Sequence, residues 1–291
     1  MNQPVELVKA TTDDGIRLDG ALQLPAQAAE YPACDAVLLV HGTGANFYAS
    51  SLLQAASQHF LARGVSTLLA NTRGHDIVYT ASTTAGPRLL GAAFERVGEC
   101  THDLAAWIGL LRERGFQRIG MLGHSLGAIK GVYAFTQHVP EGLAWLCAVS
   151  PARLCYQHFV QGPHRDEFLE TIGTAEAHVA QGKPDALMQV RFPIPYLVTA
   201  AGYLDKYGPD ERYNVVALAP ELQVPTLFTF GSVETQQHAA FARMPEDLEE
   251  VAQSNPQVRV GVIAGADHVY SGTRAELLAR IDFWLKRIAK S

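Results

Sequence analysis

The residues with the clearest chemical pattern are Gly123-His124-Ser125-Leu126-Gly127. They follow an apolar run of strand type, Ile119 to Leu122, and precede a helix-like run that reaches His138. A serine at a strand-to-helix corner sits in a strained turn with its hydroxyl pushed outward. Glycines on either side let strand and helix approach without Cβ clashes. The helix that starts there points free N–H groups and the positive end of its dipole at whatever binds the serine. This geometry suits attack on an acyl carbon. A second pattern, His41-Gly42-Thr43-Gly44, follows the apolar run Ala36–Val40. Two glycines there allow backbone N–H groups to aim at an oxyanion. The plain alternative is a tight turn with His41 hydrogen-bonded to the backbone.

Both patterns need a sheet to hold them. The runs Ala36–Val40 and Val65–Ala70 read as strands buried on both faces. Between them lies a helix at about 50–63. The helix over Thr101–Arg114 carries Leu104, Trp107, Ile108 and Leu111 on one stripe. Arg118–Leu122 delivers Ser125, and Leu143–Val149 is a further buried strand. Strand and helix alternate, the mark of a parallel sheet covered on both faces. Ligands then bind beyond the carboxyl ends of the strands. The loop Asn71–Asp76 lies at such an end, where Arg73 and His75 either meet substrate or tie loops together. Ahead of this unit, Glu6–Thr12 and Ile16–Leu24 form an antiparallel edge pair turning at Asp14-Gly15, and residues 25–35 form a loop. Residues 81–96 lack periodicity and read as loop.

The rhythm breaks at 153–222, where tyrosines and phenylalanines mix with charges, prolines and glycines. Helical pieces are expected at 165–181 and 195–205. The segment is too long for a simple connection, so it reads as a helical lid over the strand ends. Its six Lys/Arg against nine Asp/Glu, counted through Gln223, make it no clamp for a polyphosphate. The sheet resumes at Thr226–Phe230, followed by a helix over His238–Ser254, a last strand at Gln257–Ile263 and a final helix at Ala275–Ala289. The expected division is a core of 1–152 and 223–291 with the lid at 153–222.

These patterns together resemble the α/β-hydrolase superfamily, over essentially the whole chain. The matching residues are Gly123–Gly127, His41–Gly44, Gly231 with Glu234 three residues on, and Gly265-Ala266-Asp267-His268. The resemblance implies an α/β fold: a mostly parallel sheet of about eight strands, helices on both faces and a lid insertion. It also implies the order serine, acid, histidine. The acid position holds Glu234, where Asp is commoner. On this reading Ser125 is the nucleophile, His268 the base that takes its proton, and Glu234 the group that fixes the imidazole tautomer. The oxyanion donors are the backbone N–H of Leu126 and that of Thr43, with Gly44 second. Substrate contacts are expected from His124, Phe47, Tyr48, Tyr196 and Tyr203. Asp267, Asp205 and Asp76 are weaker rivals for the acid, and His41 and His102 read as structural.

The implied activity is a cofactor-free serine hydrolase acting on a small to medium carboxylic ester. Thioesters, amides, lactones and C–C bonds share the machinery. A non-catalytic binding protein and an acyl transferase on the same fold are the readings from other classes. No dinucleotide fingerprint follows the first strand, and no His, Cys and carboxylate spacing fits a metal. A net charge of -6 gives no reason to expect nucleic acid. No apolar run is long enough for a membrane span. The opening Met1–Glu6 has no basic segment leading into an apolar one, so the expected location is cytoplasmic, with the four cysteines as reduced thiols. A homodimer stays open.

Overall fold

The computed structural model describes residues 4–27 and 33–289. It opens on an antiparallel pair, β1 (Val5–Thr11) and β2 (Arg17–Gln23), and continues with β3 (Ala36–Val40), α1 (Ser51–Leu61) and β4 (Ser66–Ala70). A hairpin follows, β5 (Tyr79–Thr83) and β6 (Gly86–Leu90). Then come α2 (Cys100–Glu113), β7 (Ile119–His124), α3 (Leu126–Gln137) and β8 (Leu143–Val149). After β8 the chain makes α4 (Tyr156–Gln161), α5 (Arg165–Ala180), the hairpin β9 (Leu187–Val190) and β10 (Tyr196–Thr199), α6 (Ala200–Tyr207) and α7 (Val215–Leu218). It ends with β11 (Thr226–Gly231), α8 (Ser232–Gln237), α9 (Met244–Ser254), β12 (Val258–Ile263) and α10 (Arg274–Ile288).

One eight-stranded sheet runs in the order β1-β2-β4-β3-β7-β8-β11-β12. Pairing is antiparallel at β1–β2 and β2–β4 and parallel from β4 onward. Strand β3 shows why the sheet is covered twice. Its residues are all buried, and they alternate between two cores. Ala36, Leu38 and Val40 join one core with residues of α2, α3 and α9, and Val37 and Leu39 join the other with residues of α1 and α10. A strand with apolar residues on both faces has no water-facing side to give an alternating pattern. Trp145 of β8 anchors the second core, stacked on Phe60 and edge-on to Trp284.

Several boundaries differ from expectation. Residues 81–96 are not a plain loop, because β5 and β6 pair across Thr83–Gly86. The Thr83 hydroxyl donates to the Gly86 carbonyl at 2.6 Å, and Gly86 takes φ +114. Most of the hairpin's side chains are solvated, so no apolar alternation marks it. The piece expected as helix at 195–205 starts as strand β10. Its helix begins after Thr199, whose hydroxyl caps it by accepting the Gly202 N–H at 3.1 Å. The helix expected from His238 begins at Met244. Of the loop expected at 25–35, residues 28–32 lie outside the described residues. All four cysteines are buried and unpaired, and burial pushes the Cys34 thiol up to about 12. No helix among the described residues is long and apolar enough to cross a membrane.

Candidate active site

Ser125 stands between β7 and α3 with φ 56 and ψ -120. A non-glycine residue there costs on the order of 1–3 kcal/mol, so the surroundings must impose it. Its N–H donates to the Val149 carbonyl at 2.8 Å, and its own carbonyl accepts the Ala128 N–H at 3.0 Å. The flanking glycines are required by contact. A Cβ on Gly127 would lie 2.5 Å from the carbonyl oxygens of both Val40 and His41, and one on Gly123 would lie 2.4 Å from the Gly127 oxygen. The elbow is therefore pressed against the end of β3. Leu126 is the first residue of α3, so its N–H is among those with no partner inside the helix.

The loop from β3 reaches the same place. His41 is fully buried; its Nδ1 donates to the Gly42 carbonyl at 2.8 Å and its Nε2 accepts the Thr72 N–H at 3.1 Å. Burial first, and the nearby Lys130 charge second, lower its pKa to about 3, so it stays neutral. The plain reading of His41 as a backbone-bonded turn residue thus describes its contacts. Gly42, Thr43 and Ala45 line the cavity beside Ser125. Gly44, at φ +65, is not among the residues that line the cavity, and a Cβ on it would come within 2.7 Å of the Ile77 side chain.

His268 follows β12 and joins Ser125 on the wall of one cavity of about 380 Å³. Its Nδ1 lies 2.7 Å from Glu234 Oε2. Glu234 is 1% exposed, and its other oxygen, Oε1, accepts the Gly231 N–H at 2.7 Å and the Ser150 hydroxyl at 2.5 Å. With Oε1 engaged twice, Oε2 is left to face the imidazole. Ser150 is itself held by the Tyr270 hydroxyl at 3.0 Å. His124, next to Ser125, donates from Nε2 to the His268 carbonyl at 2.8 Å. Burial and the neighbouring His268 lower its pKa to about 3. It is therefore a neutral post that fixes the histidine loop from the serine side. The Phe241 ring lies 4.9 Å from the His268 ring.

The rivals for the acid are occupied elsewhere. Asp267 Oδ1 accepts the N–H groups of Val269 and Ser271. Asp205 accepts from the Val97 N–H and the Tyr213 hydroxyl, and Asp76 from Asn46 Nδ2. Among the expected substrate contacts, His124 and Tyr196 line the cavity. Phe47 and Tyr48 line a different groove with Val5, Leu7 and Ser51. Tyr203 is fully buried and donates to the Phe192 carbonyl at 3.0 Å. It packs on Tyr207 and supports the wall from behind. Arg73 has no exposed surface and ties Asp14, Glu99 and Asp103 together. The sequence reading missed Ser150, Phe241 and Lys206. Ser150 directly follows β8, and that position at a strand's carboxyl end was the available signal. Lys206 carries no local motif.

Side chains of metal-ligating type meet at Asp13, Asp14 and His102, at the exposed β1–β2 turn. Arg73 already binds both oxygens of Asp14 there.

A parallel-centred sheet with helices on both faces, carrying a serine at a strand-to-helix elbow and a histidine–carboxylate pair beside it, defines a narrow class. The chain belongs to the alpha/beta hydrolase family, whose model matches residues 37–285. No curated protein sequence matches the chain. Solved structures do. A Pyrococcus furiosus esterase is 19% identical, with 98% of this chain and 91% of that one covered and a TM-score of 0.62. The α/β hydrolase GrgF from Penicillium sp. sh18 is 16% identical over 99% and 100% of the two chains, with a TM-score of 0.70. Est1E from Butyrivibrio proteoclasticus, solved with ferulic acid bound, is 15% identical over 98% and 100%, with a TM-score of 0.68. At these identities the likeness is one of fold.

Proposed function

We propose that the protein is a serine hydrolase that cleaves a small to medium carboxylic ester through an acyl-enzyme. Ser125 Oγ attacks the ester carbonyl while His268 Nε2 takes its proton. Glu234 accepts from Nδ1, which leaves Nε2 as the base and stabilises the imidazolium that forms. The negative oxygen of the tetrahedral intermediate receives the N–H groups of Leu126 and Thr43; one such donor is worth about 3 kcal/mol at the transition state. The intermediate collapses, the C–O bond breaks, and His268 returns the proton to the departing alcohol. Water then enters, gives its proton to His268 and attacks the acyl carbon, and the acid leaves as Ser125 is reprotonated. No cofactor takes part. Residues 153–222 act as the lid, supported by Leu154, Ile194, Tyr196 and Tyr207 on the cavity wall.

The observation that carries this reading is the 2.7 Å contact between His268 Nδ1 and Glu234 Oε2 on the cavity that also holds the strained Ser125. The structural likeness to esterases supports the choice of an ester. A fluorophosphonate probe tests the nucleophile. Labelling is expected for the wild type and abolished in Ser125→Ala. A folded wild type that resists the probe would favour a binding protein instead. A panel of esters, thioesters, amides and lactones then ranks the bond types, with esters expected first.

A further inference from the structure

The cavity has one cation on its wall. Lys206, on α6, is 3% exposed and lines the same space as Ser125 and His268. Leu126, Ile129, Leu154 and Ile194 line the same cavity and are apolar. The Lys206 ammonium lies 5.1 Å from the centre of the Tyr196 ring, which shares the wall. A buried ammonium is costly unless an anion or strong acceptors meet it.

Its nearest anion, Glu95, is shared with a second lysine. Glu95 is 1% exposed, and its closest cation is Lys130, also buried, bound to Oε1 and to the Thr72 hydroxyl. Lys206 stands off at 3.9 Å from Oε2, and its hydrogen bond to the Ala92 carbonyl is long, at 3.4 Å. The other ionisable groups nearby do not cancel the surplus. Asp205, the preceding residue, is held by Arg212 at 3.3 Å. Arg96 adds positive charge and has its own partner, Asp185, at 4.0 Å. His41 is neutral, and burial keeps the Tyr196 and Tyr207 hydroxyls protonated. Two buried lysines thus share one buried carboxylate, and the one held farther from it, Lys206, lines the cavity.

Building on the ester-hydrolase reading, we propose that Lys206 recognises a carboxylate on one arm of the substrate, so that the preferred ester is also an acid. One bound carboxylate matches the charge that the two lysines carry beyond Glu95. It also gives the ammonium a close acceptor and orients the ester, since the remaining wall offers mainly shape. Burial lowers the Lys206 pKa, and Glu95 opposes this. An arriving carboxylate acts in the same sense as Glu95 and holds the proton on.

The test uses the full chain carrying Ser125→Ala, so that bound esters persist. Calorimetric titration compares monomethyl glutarate with dimethyl glutarate for an anion on the acyl arm. It compares O-butyryl glycolate with its methyl ester for an anion on the alcohol arm. One acid of the two pairs is expected to bind roughly ten- to a hundred-fold more tightly than its neutral partner, the range of a charge-assisted hydrogen bond. Adding Lys206→Met should erase that ratio, and Lys206→Arg should keep part of it. Equal binding of acid and neutral forms in both pairs overturns the inference without any lysine variant. So does a ratio that survives Lys206→Met. Failure of the hydrolase reading looks different: the wild type would bind the acid more tightly yet hydrolyse no ester.

Discussion

Glu234 divides its partners between its two oxygens. Oε1 accepts from the Gly231 N–H and the Ser150 hydroxyl, and Oε2 accepts from His268. That division makes a conservative substitution informative. In Glu234→Gln the side-chain oxygen goes to the pair of donors, so the amide nitrogen must face His268. A donor then meets the donor, the imidazole shifts to the other tautomer, and Nε2 no longer accepts the serine proton. A drop in kcat of about 10³–10⁴-fold is expected, with little change in KM. Asp267→Asn is the control. Its oxygen can still accept the Val269 and Ser271 N–H groups, so kcat should stay within a few-fold. A larger loss in the Asp267 variant than in the Glu234 variant would assign the acid the other way. Steady-state rates on one ester, with melting curves to show folding, decide it.

At the scale of elements, the buried Arg73 links three pieces of chain that share no local sequence. Its guanidinium meets Asp14 at the β1–β2 turn and Glu99 and Asp103 at the start of α2, while its own backbone belongs to the loop after β4. Asp103 accepts both the Arg73 N–H and its Nε, at 2.8 and 2.9 Å. Removing the cation leaves a fully buried carboxylate with its charge partner gone. Arg73→Met should cost about 3–5 kcal/mol in urea unfolding. A loss under 1 kcal/mol would mean that water reaches Asp103. The sequence could show that Arg73 lay in a polar loop at a strand end, but not which of two uses it had, because its partners lie 59 and 30 residues away. The same contrast runs through the fold. β3, β4, β7, β8 and β11 announce themselves as apolar runs because both faces are covered. β5–β6 does not, because most of its side chains are solvated, and β9–β10 does not, because its strands are only four residues each. Ser125, His268 and Glu234 stand out in the sequence by their places after strands, and the fold puts the first two on one cavity and the last two in contact. Lys206 and Ser150 matter through neighbours that only the tertiary fold supplies.

The whole molecule keeps several ionisable groups out of water, and this sets how it responds to acid. Burial lowers both His41 and His124 to about 3, against 6.5 for an unhindered histidine. Above pH 6.5 each is neutral whether the chain is folded or not, and neither makes stability depend on pH. Below 6.5 the unfolded chain takes up protons that the folded chain refuses. Stability contributed by the neutral state is therefore lost as pH falls from about 6.5 towards about 3. Near pH 5 the two histidines differ by nearly two bound protons, so unfolding free energy should fall by about 2.7 kcal/mol per pH unit from them alone. His75 and His158, also lowered by burial, act in the same sense. Carboxylates contribute less above pH 5, where the unfolded chain has already ionised most of them. Urea unfolding at pH 7, 6 and 5 measures the slope. His41→Gln and His124→Gln should each flatten it by about one proton, whatever they do to stability at pH 7. A stability that is level between pH 7 and pH 5 would mean that both rings gain protons in the folded state. In that case the His124 ring could not stay neutral beside His268, and the fixed post on the serine side of the site would be lost.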